Sequence, residues 1–334
     1  MVRTSESQRA AVADRIPAIA AGLESEIAKA VIGQKDVVRQ VLLTLFVGGH
    51  ALVRGVPGLA KTLLVKSLAG ALDLSFNRIQ FTPDLMPGDI LGNEVLEEDK
   101  VTGRRETRFI KGPVFCQVLL ADEINRTPPK TQAALLEAMQ ERQVTVAGVR
   151  YSLPSPFFVM ATQNPIEQEG TYRLPEAELD RFLFNITIDY PAFEDEERIL
   201  SETTSSNTPS IQPLADAELI LTIQDVVRDV AAASNIVRYA ARLVRASRPN
   251  TADTTAFARE WIAWGAGPRA GQALLLGAKA SALIDGRFAA SFDDIRRVAH
   301  PVLRHRIIPN FHAEAEGVNS DTIVDRLLSE TPLD

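Results

Sequence analysis

A short apolar run followed by a glycine-rich segment constrains the fold of this chain more than any other feature. The run is Ala51-Leu52-Val53, and the segment after it consists of Gly55, Val56, Pro57, Gly58, Leu59, Ala60, Lys61 and Thr62. The segment matches the phosphate-binding pattern G-x-x-x-x-G-K-[ST], except that Ala60 occupies the second glycine position. Because that pattern joins a strand to a helix, the sequence predicts a strand, loop and helix unit of an α/β protein.

The chemistry of this loop indicates a site for ATP and Mg²⁺. Backbone N–H groups and the positive end of the following helix attract phosphate oxygens. Lys61 can reach the terminal phosphates, and the Thr62 hydroxyl can bind Mg²⁺. We expect Ala60 to begin the helix, where alanine is favourable and still offers its N–H. The alternative is a tight turn with an incidental lysine, which the flanking strand and helix disfavour.

Polar residues follow two further apolar runs. Asp122 and Glu123 come directly after Val118 to Ala121, and Asn164 follows Phe157 to Ala161. The carboxyl ends of parallel strands face one crevice. We expect Asp122 to hold Mg²⁺ through water, and Glu123 to orient and deprotonate an attacking water. Asn164 would hydrogen-bond that water or the terminal phosphate. Alone, an acidic pair is usually a helix cap and Asn-Pro a common turn, so these roles depend on the phosphate loop.

Two arginines are further candidates. Arg181 lies in Leu179-Asp180-Arg181-Phe182, and composition alone leaves a surface cation and a functional cation equally plausible. Arg269 follows Gly267-Pro268 at the start of a helix, where a cation opposes the helix dipole. That unfavourable placement indicates that Arg269 faces an anion.

The order of apolar runs and helical patterns predicts two domains. Runs at Leu74 to Ile79 and Phe184 to Ile188 complete a five-stranded parallel sheet wound by helices, within residues 1–192. Helices are expected over residues 5–30 and 35–47. Two β-hairpins are expected to project from the sheet, one over residues 92–111 around Thr102-Gly103 and one over residues 143–153 around Ala147-Gly148. After a polar linker at 201–213, the helical pattern predicts that residues 193–334 form an all-helical domain.

Composition excludes several classes of protein. The 334-residue chain carries a net charge of −7, which offers no support for a nucleic-acid-binding face. No apolar run approaches the roughly 18 residues of a membrane span, and the N-terminus does not resemble a secretory signal. We therefore expect a cytoplasmic protein without a membrane span. The single cysteine, Cys116, lies in an apolar run, which predicts a buried and inert side chain.

These elements together resemble the MoxR family of AAA+ ATPases over most of residues 20 to 310. The resemblance rests on the phosphate loop and on four further segments, Ala121-Asp122-Glu123-Ile124-Asn125-Arg126, Ala161-Thr162-Gln163-Asn164-Pro165, Leu179-Asp180-Arg181-Phe182 and Gly265-Ala266-Gly267-Pro268-Arg269-Ala270. The family often carries alanine at the position of Ala60, whereas many members have serine at the position of Gly267. The fold it implies is a P-loop AAA+ core with two inserted hairpins and a helical C-terminal lid.

The resemblance also implies roles for individual residues. Asn164 would be the sensor-1 residue, Arg181 an arginine finger acting on a neighbour's ATP, and Arg269 the sensor-2 arginine. Adenine contacts would come from the segment that contains Ile32, Gly33 and Gln34. An arginine finger that acts in trans requires a homo-oligomer, and the family's ring is typically hexameric.

The function implied is ATP hydrolysis by a ring that remodels a protein client, often with a partner that has a von Willebrand factor A domain. One alternative is a nucleotide-gated scaffold with negligible turnover, against which the complete set of motifs argues. Another is a nucleic-acid motor of a related class with the same hairpin insert. The first hairpin mixes acidic with basic residues and lacks interleaved aromatic residues for base stacking, so nucleic acid is disfavoured.

Overall fold

The structure is a computed structural model that describes residues 6–98, 105–165, 170–204, 209–251 and 254–333. Its strands are β1 (Ala51–Arg54), β2 (Phe76–Gln80), β3 (Gly92–Glu98), β4 (Arg105–Lys111), β5 (Val118–Asp122), β6 (Gln143–Val146), β7 (Val149–Ser152), β8 (Phe158–Gln163), β9 (Phe184–Thr187), β10 (Ile262–Trp264) and β11 (Ile308–Pro309).

The helices of the first half of the chain are α1 (Glu6–Ala13), α2 (Ile16–Ala28), α3 (Lys35–Val47), α4 (Lys61–Ala71), α5 (Pro87–Leu91), α6 (Pro129–Glu141) and α7 (Glu176–Leu179). Those of the second half are α8 (Phe193–Thr203), α9 (Ala217–Asp229), α10 (Ser234–Ala246), α11 (Ala256–Trp261), α12 (Pro268–Ile284), α13 (Phe292–Leu303), α14 (Phe311–Ala315) and α15 (Ser320–Glu330). We call the region from α8 to α15 the lid.

A five-stranded parallel sheet in the order β2-β5-β8-β1-β9 forms the centre of the fold. Connections between its strands run through helices, which parallel pairing requires. The predicted α/β core is therefore confirmed. Because β1 lies between β8 and β9, the loop after β1 emerges at the carboxyl edge of the sheet with a strand on either side.

Alternate residues of the central strands enter two apolar cores. In β5, Val118 and Leu120 face the core that the sheet shares with the lid, and Leu119 and Ala121 face the core beneath α5 and α6. All four side chains are fully buried, as expected for a strand covered on both faces. Cys116 is also buried against this second core, and burial raises the pKa of its thiol to about 12. The expected inert environment of this cysteine is confirmed.

Both predicted hairpins are present as antiparallel pairs. Strands β3 and β4 pair from Gly92 opposite Lys111 to Glu98 opposite Arg105, and the predicted turn at Thr102-Gly103 lies outside the described residues. Strands β6 and β7 pair Val146 with Val149 around the predicted turn. The two hairpins contact each other through stacked rings of Phe109 and Tyr151, whose centroids lie 4.2 Å apart.

The prediction of one helix over residues 5–30 is wrong. The structure has two helices, α1 and α2, separated by Asp14 and Arg15. Pro17 explains the interruption, because a proline ring clashes with the carbonyl four residues earlier, here that of Ala13. Proline is tolerated in the first turn of α2, where its missing N–H is not needed.

The lid is helical, with one short addition to the predicted all-helical region. Strands β10 and β11 form a two-stranded antiparallel ribbon, with Ile262 opposite Pro309 and Trp264 opposite Ile308. Helix α12 packs against α3, and α13 packs against β9, so the lid covers one face of the sheet. Within the described residues, no helix combines the length and hydropathy that crossing a bilayer requires.

Candidate active site

The loop after β1 approaches its neighbouring strands closely. A Cβ atom on residue 55 would lie 2.8 Å from the carbonyl oxygen of Ile188, so only glycine fits at the start of this loop. The Gly55 N–H donates a 3.4 Å hydrogen bond to the carbonyl oxygen of Gln163, which ties the loop to β8. Gly58 has φ of +87°, a conformation that glycine adopts without steric cost.

Ala60 does not begin the helix as we expected from the sequence. It precedes α4 as the N-cap residue, with a left-handed φ of 54°. Its carbonyl oxygen still accepts the first helical hydrogen bond, from the N–H of Leu64 at 2.9 Å. An L-residue in this conformation carries a cost on the order of 1 kcal/mol. The position therefore retains the backbone geometry of the glycine that the general pattern specifies.

Lys61 is the first residue of α4, and its ammonium group lies over the loop. The Nζ atom donates to the carbonyl oxygens of Gly55 at 2.6 Å and Val56 at 3.3 Å. Thr62 follows at the second helical position, half-buried. Both side chains therefore belong to the carboxyl edge of the sheet, where the sequence predicted a phosphate site.

The Asp122 carboxylate is held by two residues that sequence reasoning missed. Thr162 donates its hydroxyl to Asp122 Oδ1 at 2.6 Å and accepts the N–H of Glu123 at 2.8 Å. Arg78 of β2 forms an ion pair with Asp122 Oδ2 at 2.7 Å. Arg78 was missed because β2 was identified only as an apolar run. The apolar pattern does not reveal the register of β2 and β5, in which Gln80 lies opposite Asp122 and Arg78 is therefore close to this carboxylate.

Glu123 is oriented by neighbouring side chains but remains partly exposed. Its Oε2 atom accepts a 2.6 Å hydrogen bond from Gln80 Nε2 and lies 3.2 Å from Arg126 Nε. The side chain is 21% exposed, so its carboxylate remains accessible to water. Glu123 also has a positive φ of 59°, a strained conformation that occurs preferentially at functional sites.

Asn164 comes directly after β8 and is buried. Strand β8 lies between β1 and β5 in the sheet. With neighbouring strands about 4.8 Å apart, Asn164 therefore lies between the phosphate loop and the acidic pair. The structure thus brings the loop, the two carboxylates and the amide together at one edge.

Arg181 lies at the opposite edge of the sheet. It precedes β9, whose first residue Phe184 is opposite Ala51 in β1, and the Leu183 N–H donates to the carbonyl oxygen of His50 at 2.8 Å. The four residues of β1, about 13 Å at 3.3 Å per residue, separate this edge from the phosphate loop. Within the part of the chain that the structure describes, the Arg181 guanidinium has no hydrogen-bond or ion-pair partner.

Arg269 lies near Arg181 rather than near the phosphate loop of its own chain. Its Nη1 atom is 3.7 Å from Asp180 Oδ2, so the anion that it faces in the structure is a carboxylate next to Arg181. A cavity of about 290 Å³ lies here, and its lining includes Arg142, Arg181, Arg269 and Arg306. Asp180 lies in the same lining and pairs with Arg269 and Arg306, so Arg142 and Arg181 are the arginines of this lining that have no carboxylate partner among the described residues.

The predicted adenine-contacting segment lies beside α4 and α8. A Cβ atom on Gly33, which has φ of +76°, would lie 2.7 Å from Asp195 Oδ2 of α8. Gln34 Nε2 donates to the carbonyl oxygen of Asp189 at 3.3 Å. Ile32 shares a cavity of about 700 Å³ with Leu63 of α4. The segment therefore lies next to the helix that begins at the phosphate loop.

The donor set at the carboxyl edge fits Mg²⁺ bound together with phosphates. Within the described ranges, no group of three or more His, Cys, Asp or Glu side chains could hold a metal ion. Mg²⁺ usually binds one or two carboxylates together with substrate phosphates and water. Thr62 and Asp122 offer a hydroxyl and a carboxylate of this kind.

This combination of sheet order, phosphate loop and helical lid defines an AAA-type ATPase. The ATPase family associated with various cellular activities (AAA) matches residues 50–184, and the AAA lid domain matches residues 255–327. A candidate ATPase from Cytophaga hutchinsonii has a crystal structure that superposes with a TM-score of 0.89, at 39% identity over 98% of both chains.

Relatives identify the family within this class. The chain is 41% identical to Chaperone MoxR1 of Mycobacterium tuberculosis, over 92% of this chain and 80% of that protein. It is 33% identical to Protein MoxR of Methylorubrum extorquens, over 86% of this chain and 87% of the relative. The chain belongs to the MoxR family of AAA ATPases.

Proposed function

We propose that this protein is a Mg²⁺-dependent ATP hydrolase that works as a ring, typically a hexamer, and uses hydrolysis to remodel a protein client. The observation that carries this proposal is the division of the candidate site between the two edges of the sheet. Phosphate-binding and water-activating groups lie at the carboxyl edge, whereas Arg181 and Arg269 lie at the amino edge. Both arginines are therefore assigned to the ATP of a neighbouring subunit.

In this mechanism the carboxyl edge binds ATP and activates water. Lys61 would exchange its loop carbonyls for the terminal phosphates, and Thr62 and Asp122 would hold Mg²⁺, which would supply positive charge to neutralise the phosphates. Glu123 accepts a proton from water as the water oxygen bonds to the γ-phosphorus. The bond from that phosphorus to the bridging oxygen breaks, and ADP leaves with the electron pair. Asn164 holds the attacking water or the γ-phosphate in line.

The neighbour's arginines would stabilise the charge that develops on the transferred phosphoryl group. An arginine finger in trans is worth about a thousandfold or more in turnover. Arg181 suits this role because its guanidinium has no partner within the described residues. Hydrolysis would then require contact between subunits.

The client role is supported by relatives and by the hairpins. One relative is named a chaperone. The hairpins carry exposed apolar side chains, Leu96 and Ile110 on opposite faces of the first and Val149 on the second, and side chains of this kind suit contact with protein rather than with phosphates. Two basic residues of the first hairpin, Arg105 and Arg108, form ion pairs with acidic residues of the same hairpin, which disfavours a nucleic-acid motor. A von Willebrand factor A domain partner belongs to the same proposal.

Two substitutions test the site. Glu123→Gln should bind ATP normally but hydrolyse it at least about a hundredfold more slowly, because general-base catalysis is lost. Arg181→Ala should retain binding and lose about a thousandfold in turnover. Phosphate release and binding of a fluorescent ATP analogue measure the two properties. Exposed positions provide matched controls, Glu141→Gln and Arg238→Ala. Normal turnover in either site variant would refute the assignment of that residue.

A further inference from the structure

We infer that Arg306 of the lid is a positioning residue for Arg181, so that the lid determines whether a subunit can act on its neighbour's ATP. This inference rests on the proposed function, since it concerns how the arginine of a shared site is held. It is carried by the hydrogen bonds of a single buried guanidinium.

The Arg306 side chain extends from the lid and hydrogen-bonds to the chain segment 180–183 on both sides of Arg181. Its Nε atom is 2.7 Å from Asp180 Oδ1. Its two Nη atoms donate to the carbonyl oxygens of Phe182 at 2.7 Å, Leu183 at 3.1 Å and Asp180 at 3.3 Å. One lid side chain therefore bonds the backbone of three of the four residues in this segment.

The lid end of this contact is also fixed. Arg306 Nη1 donates a 2.6 Å hydrogen bond to the carbonyl oxygen of Val302 in α13. A second lid side chain also contacts the segment, since His305 Nε2 lies 3.2 Å from the carbonyl oxygen of Phe182. The Arg306 side chain is only 4% exposed. A buried guanidinium with its donors occupied on both domains has little freedom, so motion of α13 would move the segment that it holds.

Arg181 lies in a segment whose backbone is fixed, and its own side chain remains available for contact with another subunit. The backbone N–H of Arg181 donates to Glu178 O at 3.2 Å, and the residues on either side are held by Arg306. Asp180 further links Arg306 to Arg269, at 2.7 Å and 3.7 Å. Arg306 thus fixes the segment that carries one proposed trans arginine and shares a carboxylate with the other.

Mixed rings test this role, because the two halves of a shared site can be inactivated separately. Glu123→Gln removes the phosphate-side function of a subunit, and Arg181→Ala removes its arginine-side function. In an equal mixture of these variants, about a quarter of the head-to-tail interfaces combine two intact halves and should regain turnover. This reference pair tests the proposed function itself. If the mixture stays inactive, the proposal of a site shared between subunits is refuted, and the role inferred for Arg306 is refuted with it.

Arg306→Gln should behave as an arginine-side variant. Alone, it should lower kcat about a hundredfold, as expected for a misplaced catalytic group, with the KM for ATP changed less than about twofold. Mixed with Glu123→Gln it should regain turnover, and mixed with Arg181→Ala it should not. If the reference pair regains turnover and Arg306→Gln rescues neither partner, or rescues only Arg181→Ala, the inference is overturned.

Two further variants separate positioning from general damage to the fold. Arg306→Lys keeps the charge next to Asp180 and should lose less kcat than glutamine, with the same pairing behaviour. It serves as the deciding variant if Arg306→Gln does not fold. Arg304→Gln is the matched control, because Arg304 joins the lid to β9 through Asn185 O at 3.2 Å and Thr187 Oγ1 at 2.6 Å without touching residues 180–183. Turnover within about twofold of wild type is expected for Arg304→Gln. A loss equal to that of Arg306→Gln would show that any weakening of lid docking has this effect, and would overturn the specific role.

Discussion

Ala60 shows how one residue can match a motif in backbone geometry while departing from it in sequence. The residue lies in the left-handed region at φ of 54°, where the general pattern has glycine. The strain of this conformation is part of the native state that the structure describes.

Substitution of this residue by glycine should stabilise the protein. Relief of the left-handed conformation offers about 1 kcal/mol, and the larger entropy of glycine in the unfolded chain offsets part of it. We expect Ala60→Gly to raise the free energy of unfolding by about 0.5 kcal/mol in urea titrations without nucleotide. Ala241→Gly, on the exposed face of α10, should lower it by about 1 kcal/mol. If both variants lose stability equally, the strain at residue 60 is not real.

The sequence predicted the site residues that belong to local motifs, but not the residues that hold their side chains in place. Asp122 and Glu123 are adjacent in the chain to a strand whose apolar pattern is unambiguous. Arg78 and Thr162 reach Asp122 only because β2 and β8 flank β5, and no local pattern encodes that adjacency. Prediction of Arg78 and Thr162 as partners of Asp122 would have required the strand order and register of the sheet.

At the scale of elements, α13 and α15 are joined by a histidine with two carboxylate partners. His300 Nδ1 lies 3.2 Å from Asp321 Oδ1, and Nε2 lies 3.0 Å from Asp325 Oδ1. The hydrogen bond to Asp321 and the charge of Asp325 raise the pKa of His300, although burial and the nearby Arg304 oppose this. The imidazolium form therefore stabilises the contact between the two helices.

The pH dependence of stability follows from the direction of this shift. A pKa raised in the folded state gives stability that is complete below the unfolded value, about 6.5, and is lost as pH rises through the folded value. We expect His300→Gln to cost up to about 1 kcal/mol at pH 5.5 and much less at pH 8.5, by urea unfolding at both pH values. His312→Gln is the control, because the His312 ring is exposed and has one carboxylate neighbour, Glu316 Oε1 at 3.4 Å, where His300 has two. An equal cost at both pH values would contradict a protonated bridge.

The helical elements show where local reasoning succeeds and fails. The boundaries of α3 at Lys35 and Val47 agree with the amphipathic pattern, because Gly48 ends the helix in a left-handed conformation with φ of 77°. The break between α1 and α2 was missed, although Pro17 signals it, because the apolar period continues across the break in register. A periodic pattern reports which face is buried and not whether the helix is continuous.

In the molecule as a whole, the position of Arg269 relative to the sheet could not be predicted from the sequence. The motif indicated an anion near this residue, but which edge of the sheet it faces depends on how the lid docks. That docking is determined by long-range contacts such as the 2.7 Å pair between Arg306 and Asp180, which are 126 positions apart in the chain.

The proposed sharing of the site between chains predicts that ATPase activity depends on protein concentration. Turnover per chain should fall on dilution in parallel with the disappearance of an assembly of six chains, followed by analytical ultracentrifugation with ATP and Mg²⁺. Glu123→Gln provides an assembly that does not consume its nucleotide during the measurement. Turnover per chain that stays constant down to concentrations where only monomer sediments would contradict the shared site.

The two edges of the sheet also give such an assembly a direction. In the proposed ring, the loop of each subunit would face one neighbour and its arginines the other, so the contact would be head-to-tail and its two surfaces would differ. Each nucleotide would then be in contact with the arginines of the subunit on one side only. In such a ring, successive hydrolysis events would follow one sense, because β1, a parallel strand of four residues, separates the edge that carries the loop from the edge that carries the arginines.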